Sequence, residues 1–247
     1  MARAKSPRLD QALVDRGLAE SIAKAQALIL AGQVRLNGEV DRTAGAPAPP
    51  DSSITLDTGP KYVSRAGHKL EGALEAFPSV DPSGLVVLDA GASTGGFTDC
   101  LLQRGAAKVY AVDVGYGLLD WRLRNDPRVV VMERTNVRHL DRSPLPEPVA
   151  LITADVSFIG LTKILPALAS NLAPGGCMLL MVKPQFELRR ALVGEGGVVR
   201  EDSLRHAAAD LVAAAAVELG LTERARADSP LAGPKGNREL FLWVGPG

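Results

Sequence analysis

The stretch Asp89-Ala-Gly-Ala-Ser-Thr-Gly-Gly96 decides the fold, because it lies between a predicted strand, residues 85–90, and a predicted helix, residues 96–104. A glycine-rich turn in this setting brings backbone N–H groups and a helix N-terminus to one point, which suits a bound anion or nucleotide. Such turns sit at the carboxyl edge of a parallel sheet, where α/β proteins hold their ligands.

Strand-forming and helix-forming segments alternate on both sides of this turn. The strands are mostly continuous apolar runs, which is typical of a parallel sheet covered by helices on both faces. We predict strands at 85–90, 108–113, 129–133, 150–155 and 177–183, helices at 64–77, 96–104, 118–125, 160–172 and 202–219, and a closing hairpin of 222–227 with 239–244. Residues 60–247 therefore form an α/β domain with a Rossmann-like, mostly parallel sheet and one antiparallel strand.

Residues 1–59 have the pattern of a separate small α+β module. Apolar residues at helical spacing predict helices at 8–16 and 22–30, with Ser21 as the N-cap of the second and Gly32 just past its end. Asn37-Gly38 is a strong hairpin signal, and a further strand is expected at 53–56.

Three chemistries compete for the glycine turn. The dinucleotide fingerprint G-x-G-x-x-G has Ser93 in place of its second glycine, whereas Gly91-Ala-Ser-Thr-Gly95 matches the hydrolase elbow G-x-S-x-G literally. The third option is the methyltransferase turn, in which an acidic residue precedes the first glycine.

Two carboxylates favour the methyltransferase turn. Asp89 can meet a free ammonium group, which S-adenosylmethionine carries and NAD does not. Asp113 ends the next strand, where an acidic side chain accepts hydrogen bonds from ribose hydroxyls. A hydrolase would also need a histidine near Ser93, and neither His139 nor His206 lies at a strand end.

A second polar group is expected at the same edge of the sheet. Asp155 and Lys183 end two predicted strands, Glu239 begins the last one, and Lys69 lies on the helix before the sheet. Methyl transfer to a hydroxyl needs aligned reactants and a group that helps to remove the hydroxyl proton, which a lysine oriented by carboxylates can do without a metal. The alternative is a structural ion pair between Asp155 and Lys183.

The first module resembles the RNA-binding module of ribosomal small-subunit protein S-four. The resemblance rests on Arg8-Leu-Asp-x-x-Leu13, Ser21-x-x-x-Ala25, Leu28-Ile29-x-x-Gly32-x-Val34 and Asn37-Gly38. It implies that basic side chains of this module contact RNA. The candidates, with one basic residue of the second domain, are Arg3, Lys5, Arg8, Lys24, Arg35 and Arg65.

The whole chain resembles the TlyA-type (haemolysin-A family) ribosomal RNA methyltransferases, whose catalytic half is FtsJ-like. The matching stretches are Lys61-Tyr-Val-Ser-Arg-Ala-Gly-His-Lys69, Leu88–Thr98, Val112-Asp-Val-Gly115, Asp155-Val-Ser-Phe158, Val182-Lys-Pro-Gln-Phe-Glu187 and Asn237-Arg-Glu239. The resemblance implies a class I methyltransferase sheet and S-adenosylmethionine-dependent 2′-O-methylation of cytidine in 16S or 23S ribosomal RNA, within ribosomal subunits.

The same resemblance assigns roles to individual residues. Lys69, Asp155, Lys183 and Glu239 correspond to a catalytic set in which Lys183 is nearest the 2′-hydroxyl. The implied cofactor contacts are Asp89, Gly91, Ala92, Ser93, Thr94, Gly95, Gly96, Phe97, Asp113 and Val114.

Composition narrows the remaining alternatives. The net charge is zero, so an RNA partner depends on local patches and motifs. Cys100 and Cys177 have no clustered partners, which indicates neither a disulfide framework nor a metal site. We expect no signal peptide, no membrane span and a cytoplasmic location. A membrane-active haemolysin and a non-catalytic RNA-binding assembly factor are the alternative functions.

Overall fold

The computed structural model describes residues 6–57, 59–233 and 235–247. The chain divides into two compact units, residues 1–61 and 62–247. The boundary at residue 59 stays a prediction, and each unit is considered by itself.

The smaller unit has two helices and a three-stranded sheet. Helices α1 (Leu9–Asp15) and α2 (Ile22–Leu30) precede strands β1 (Val34–Leu36), β2 (Glu39–Val40) and β3 (Ile54–Leu56), and the sheet order is β2-β1-β3 with both pairs antiparallel. The Ser21 side chain accepts a hydrogen bond from the Lys24 N–H at 3.2 Å, so the predicted N-cap is confirmed. Asn37 and Gly38 both have positive φ, as the hairpin signal predicts.

The larger unit is built on a seven-stranded sheet. Its strands are β4 (Val86–Ala90), β5 (Lys108–Val112), β6 (Val129–Met132), β7 (Val149–Ala154), β8 (Leu172–Val182), β9 (Leu221–Asp228) and β10 (Leu240–Pro246). Their order is β6-β5-β4-β7-β8-β10-β9, and β10 alone runs antiparallel to its neighbours. The predicted fold class, a mostly parallel sheet with one antiparallel strand, is confirmed.

Helices cover both faces of this sheet. They are α3 (Ala66–Ala76), α4 (Gly96–Gln103), α5 (Trp121–Arg124), α6 (Leu165–Ala169), α7 (Pro184–Glu187) and α8 (Asp202–Val217). Successive strand residues point to opposite faces, so Leu88 belongs to the core under α6 and α8, whereas Val87 belongs to the core under α3 and α4. Both cores are buried, and the carboxyl edge of the sheet between them is left for loops.

Two predicted segments are wrong in their extent. Residues 160–172 do not form one helix: a short 3-10 turn, Leu161–Lys163, is followed by the five-residue α6, and Leu172 already belongs to β8. An apolar run of this length does not separate a buried helix from the start of a buried strand. Helix α5 has four residues in place of the eight predicted, and α7 was not predicted.

We predict that Asn171→Ala lowers the free energy of unfolding of the larger unit by about 3 kcal/mol, because it leaves the buried Leu145 N–H and Leu140 carbonyl oxygen without these partners. Asn171 is 3% exposed, accepts from the Leu145 N–H at 2.7 Å and donates to the carbonyl oxygens of Ala167 and Leu140 at 2.9 and 3.2 Å. Urea unfolding followed by tryptophan fluorescence measures this, since both tryptophans, Trp121 and Trp243, lie in the larger unit.

The matched control is Asn125→Ala. Asn125 is exposed and donates one hydrogen bond, to the Trp121 carbonyl oxygen at 2.7 Å, so its loss should cost less than about 1 kcal/mol. Equal effects of the two substitutions would contradict the structural role of Asn171.

Candidate active site

The glycine-rich loop packs tightly against the end of β7. Gly91 has φ +87°, and a Cβ placed on it would lie 2.6 Å from the backbone carbonyl oxygen of Asp155. The Asp155 N–H in turn donates to the Ala90 carbonyl oxygen at 2.9 Å. Gly95 has φ +96°, and a Cβ there would overlap Leu123. Only glycine fits these two positions, and the loop is therefore held against the strand end that carries Asp155.

Asp89 is fully buried beneath this loop. Its carboxylate accepts the Thr98 hydroxyl at 2.6 Å and lies 3.4 Å from the Thr153 hydroxyl. Burial raises the pKa of Asp89 to about 7, the Thr98 hydrogen bond opposes this rise, and the negative charge of Asp155 adds to it. Asp89 lines none of the cavities described below, so its contact with a cofactor ammonium stays a prediction, and the geometry shows a carboxylate that holds β4, α4 and β7 together.

Asp113 follows β5 and fixes the loop from the other side. One carboxylate oxygen accepts the Ser93 N–H at 2.8 Å and the other accepts the Gly115 N–H at 2.6 Å. Ser93 has φ +51°, an unusual conformation for a non-glycine residue, and its bond to Asp113 holds it there. The Asp113 side chain is half-buried, so its carboxylate can still accept further hydrogen bonds from a ligand.

Two adjoining cavities flank the loop. The loop cavity, about 280 Å³, is lined by Ser64, Arg65, Ala66, Gly91, Ala92, Ser93, Thr94, Gly96, Phe97, Asp155, Ser157 and Lys183. The Asp113 cavity, about 320 Å³, is lined by Gly91, Ser93, Asp113, Val114, Leu118, Asn136, Val137, Asp155, Val156, Ser157, Phe158, Ile159 and Ile164. Polar and charged residues line part of the loop cavity. The Asp113 cavity is mainly apolar, with Asp113 and Asn136 among its polar lining residues.

Lys183 follows β8 and is 8% exposed. Its Nζ lies 2.5 Å from Asp155 Oδ1 and donates a hydrogen bond to the Ser157 hydroxyl at 2.9 Å. The contact with Asp155 is an ion pair without hydrogen-bond alignment, and Oδ1 is a buried atom that no hydrogen bond among the described residues reaches. Charge therefore holds the lysine in place.

Glu239 directly precedes β10, and its carboxylate forms a buried ion pair with Lys69 of α3. Both residues are at most 5% exposed. Glu239 lines a third cavity, whereas Lys69 lines none of the described ones and reaches the site through Glu239. The structure thus brings all four predicted catalytic residues to one edge of the sheet, as two ion pairs.

The third cavity, which we call the Gln185 cavity, has a volume of about 270 Å³. It is lined by Ser157, Phe158, Lys183, Gln185, Phe186, Gly196, Gly197, Gly233, Lys235, Asn237 and Glu239. Lys183 is common to this cavity and the loop cavity, and Ser157 is common to all three. The lysine therefore stands where two binding spaces meet.

Phe158 lines both the Asp113 cavity and the Gln185 cavity. Its side chain is 92% exposed, its φ is +68°, and its ring lies 5.7 Å from that of Phe186. A bulky residue with positive φ is strained by about 1–3 kcal/mol, and such strain concentrates at functional sites. An exposed aromatic ring held in this way can stack on a planar ligand.

The structure shows the surroundings of four of the six predicted RNA-binding residues. Arg3 and Lys5 lie outside the described residues. Arg8 is paired with Asp10 and Arg35 with Asp57, at 2.7 and 3.0 Å, and Lys24 is exposed on α2. Arg65 lines the loop cavity. Their contacts with RNA stay predictions.

Sequence reasoning missed Ser157, Phe158 and Gln185. All three lie within two stretches that carry the family resemblance, Asp155–Phe158 and Val182–Glu187. In these stretches only Asp155 and Lys183 were assigned a role. A loop that follows a strand end in a parallel sheet faces the ligand crevice, and that rule could have found them.

The fold and the site together define a class I methyltransferase, with a mostly parallel sheet whose carboxyl edge carries a glycine loop, an acidic strand end and two buried ion pairs. Among the described residues, no cluster of three or more His, Cys, Asp or Glu side chains is arranged to hold a metal ion. Within the same residues, every helix is too short or too polar to cross a membrane.

Comparison with known proteins gives the family. The model of the FtsJ-like methyltransferase family matches residues 62–245, and the S4 domain model matches residues 7–45. The chain belongs to the FtsJ-like methyltransferase family, and it is an enzyme. The resemblance predicted from the sequence is confirmed in both parts.

Three similar proteins cover nearly the whole chain. The 16S/23S rRNA (cytidine-2′-O)-methyltransferase TlyA of Mycobacterium tuberculosis is 49% identical over 98% of this chain and 90% of its own length. Hemolysin A of Brachyspira hyodysenteriae is 41% identical over 95% of this chain and 98% of its own. A solved structure described as "Putative hemolysin from Streptococcus thermophilus" has a TM-score of 0.72 and 39% identity, and covers 99% of this chain and 90% of that one.

We predict that Asp89→Asn changes how stability depends on pH. The folded protein binds the Asp89 proton more tightly than the unfolded chain does, because the pKa rises from 3.8 to about 7 on folding. The stabilisation from this group is complete below about pH 4 and is lost as the pH rises towards 7. An asparagine carries no proton to lose and still accepts the Thr98 hydroxyl. Urea unfolding from pH 4 to pH 8 should therefore show the variant gaining stability over the wild type as the pH rises.

Asp126→Asn is the matched control with the opposite sign. The Arg128 side chain holds the pKa of Asp126 below its ordinary value, so this carboxylate stabilises the fold above about pH 4. Its asparagine variant should lose stability relative to the wild type as the pH rises. If the stability of Asp89→Asn and that of the wild type depend on pH in the same way, the claim that burial raises the pKa of Asp89 is contradicted.

Proposed function

We propose that this enzyme transfers the methyl group of S-adenosylmethionine to the ribose 2′-hydroxyl of cytidine in ribosomal RNA. The observation that carries the proposal is the position of Lys183, which is the charged residue shared by the loop cavity and the Gln185 cavity. A methyl donor in the first space and a hydroxyl in the second would meet at its amine.

The residues around the loop fit S-adenosylmethionine. The apolar Asp113 cavity suits an adenine ring, and Asp113 at its rim can accept hydrogen bonds from the ribose hydroxyls. Arg65 and Asp155 line the loop cavity, where their charges can attract the carboxylate and the ammonium of the methionine part. S-adenosylmethionine, when bound, supplies an electrophilic methyl group on a sulfonium.

The catalytic work of the chain is alignment and proton removal. Lys183 lies where its amine could take up the 2′-hydroxyl proton during methyl transfer, and bound S-adenosylmethionine would supply the methyl group. Asp155 and Ser157 hold the amine at 2.5 and 2.9 Å, and Asp155 stabilises the charge that the lysine gains. Glu239, neutralised by Lys69, forms a wall of the Gln185 cavity and orients the acceptor.

The acceptor class rests on three independent features. The chain carries an S4 domain at residues 7–45, a relative at 49% identity is named for cytidine-2′-O-methylation of 16S and 23S rRNA, and Phe158 offers an exposed ring beside the Gln185 cavity. Unpaired RNA bases stack on such aromatic rings. Because its substrate lies in ribosomal subunits, we place the enzyme in the cytoplasm as part of this proposal.

The alternatives lack a comparable feature. If the protein were a non-catalytic RNA-binding factor, the buried Lys183–Asp155 pair at the junction of two cavities would have no function. A haemolysin is favoured only by the names that some similar proteins carry. Transfer of tritiated methyl groups to isolated ribosomal subunits, followed by mapping of the modified nucleotide, tests the proposal; label in a base or in protein alone would refute it.

We predict that Lys183→Ala lowers the methylation rate at least about 1,000-fold, because it removes both the proton acceptor and the charge that aligns the hydroxyl. Binding of S-adenosylmethionine, measured by calorimetry, should change less than about threefold, since its main contacts lie at the loop and Asp113. Wild-type turnover by this variant would contradict the proposed role of Lys183.

Two further variants separate these effects. Asp113→Ala should weaken cofactor binding, because it removes the ribose acceptor and the partner of the Ser93 N–H. Lys163→Ala removes an exposed lysine near the same loops and should leave both binding and rate unchanged. A loss of rate in Lys163→Ala as large as in Lys183→Ala would point to a general charge effect.

A further inference from the structure

An unpartnered acceptor atom lies in the wall of the Gln185 cavity. The side-chain carbonyl oxygen Oε1 of Gln185 is fully buried and has no hydrogen-bond partner, and the amide nitrogen of this residue forms no side-chain hydrogen bond within the described residues. Burying such an oxygen without a donor costs about 1–3 kcal/mol. Native structures keep few such groups, and they commonly mark positions that a ligand completes.

The wall around Gln185 is held in place by other bonds. The Asn237 side chain accepts the Val199 N–H and donates to the Gly197 carbonyl oxygen, each at 2.8 Å. Asn237 is 3% exposed, so it ties this loop firmly to the segment that carries Glu239. These donors and acceptors satisfy one another, and none of them serves the Gln185 amide.

Gln185 lies two residues after Lys183 and shares its cavity with that lysine. A hydroxyl that reaches Lys183 therefore brings the rest of its nucleotide into the Gln185 cavity. Phe158 lines the same cavity with an exposed ring, which provides a stacking surface for the base. The polar edge of a stacked base needs a partner in the wall, and the Gln185 amide is unengaged there.

We propose that Gln185 selects the base of the acceptor nucleotide, a step that rests on the proposed function. Its buried oxygen accepts a hydrogen bond from the exocyclic amine of cytosine, and its amide nitrogen can donate to the adjacent ring nitrogen. Uracil presents a carbonyl oxygen where cytosine has the amine, so two acceptor oxygens would face each other as long as the amide keeps its oxygen on the buried side, where the structure has it. Acceptor side chains read the cytosine amine in this way in other nucleic-acid complexes.

The test compares cytidine with uridine in the same RNA context. Ribosomal subunits are reconstituted with transcripts that carry cytidine or uridine at the mapped methylation position, and kcat/KM is measured for both. Wild-type enzyme should prefer cytidine at least about tenfold. Gln185→Met keeps the length of the side chain but cannot form these bonds, and should lower the cytidine value about tenfold while the uridine value changes little.

Gln185→Glu provides the complementary variant, because its carboxylate keeps an acceptor for the cytosine amine but loses the donor to the ring nitrogen, and it should lower the preference for cytidine. The ratio within one variant cancels any effect of the new charge on Lys183. Gln103→Met, an exposed change on α4, should leave both values at wild-type levels. Unchanged S-adenosylmethionine binding shows that each variant is folded.

The outcomes separate the two proposals. If wild-type enzyme methylates neither RNA, the proposed function fails and this inference falls with it. If the wild type prefers cytidine and Gln185→Met keeps the wild-type ratio, or loses rate equally on both RNAs, the amide does not select the base and only this inference is overturned.

Discussion

The close approach of Gly91 to Asp155 is the constraint on which the rest of the site depends. A Cβ at Gly91 would lie 2.6 Å from the Asp155 carbonyl oxygen, and the Asp155 N–H bonds the residue before the loop glycine, at 2.9 Å. Backbone contact at this range leaves no freedom for either partner. The glycine loop and the carboxylate that holds Lys183 are therefore fixed to each other, which in the proposed function would align the methyl donor with the acceptor.

The carboxyl edge of the sheet also carries two buried ion pairs. Lys183 is paired with Asp155, and Lys69 with Glu239, at positions that are mostly removed from water. Such pairs add little to stability, because the loss of hydration offsets their attraction. In the proposed function their use would be electrostatic, because a fixed dipole at each pair costs no rearrangement when charge moves during the reaction.

The sequence predicted most of this arrangement, and the exceptions have physical causes. Strand-end reasoning located Asp113, Asp155 and Lys183, because a parallel sheet brings its carboxyl ends together whatever the loops do. Alternation turns the Asp89 side chain into the core beneath the loop, and its contact with a cofactor ammonium stays a prediction. Phe158 and Gln185 follow strand ends, so the same rule could have placed them at the crevice, but the positive φ of Phe158 and the unpartnered oxygen of Gln185 are properties of the folded chain and not of local sequence.

A structure determined with bound S-adenosylmethionine tests the central claim most directly, because it shows where the methyl carbon lies. The account predicts adenine in the apolar cavity beside Asp113, and a methyl group that points past Ser157 towards the Lys183 amine and the Gln185 cavity. A cofactor bound in the reverse direction, with its methyl group remote from Lys183, would contradict the account.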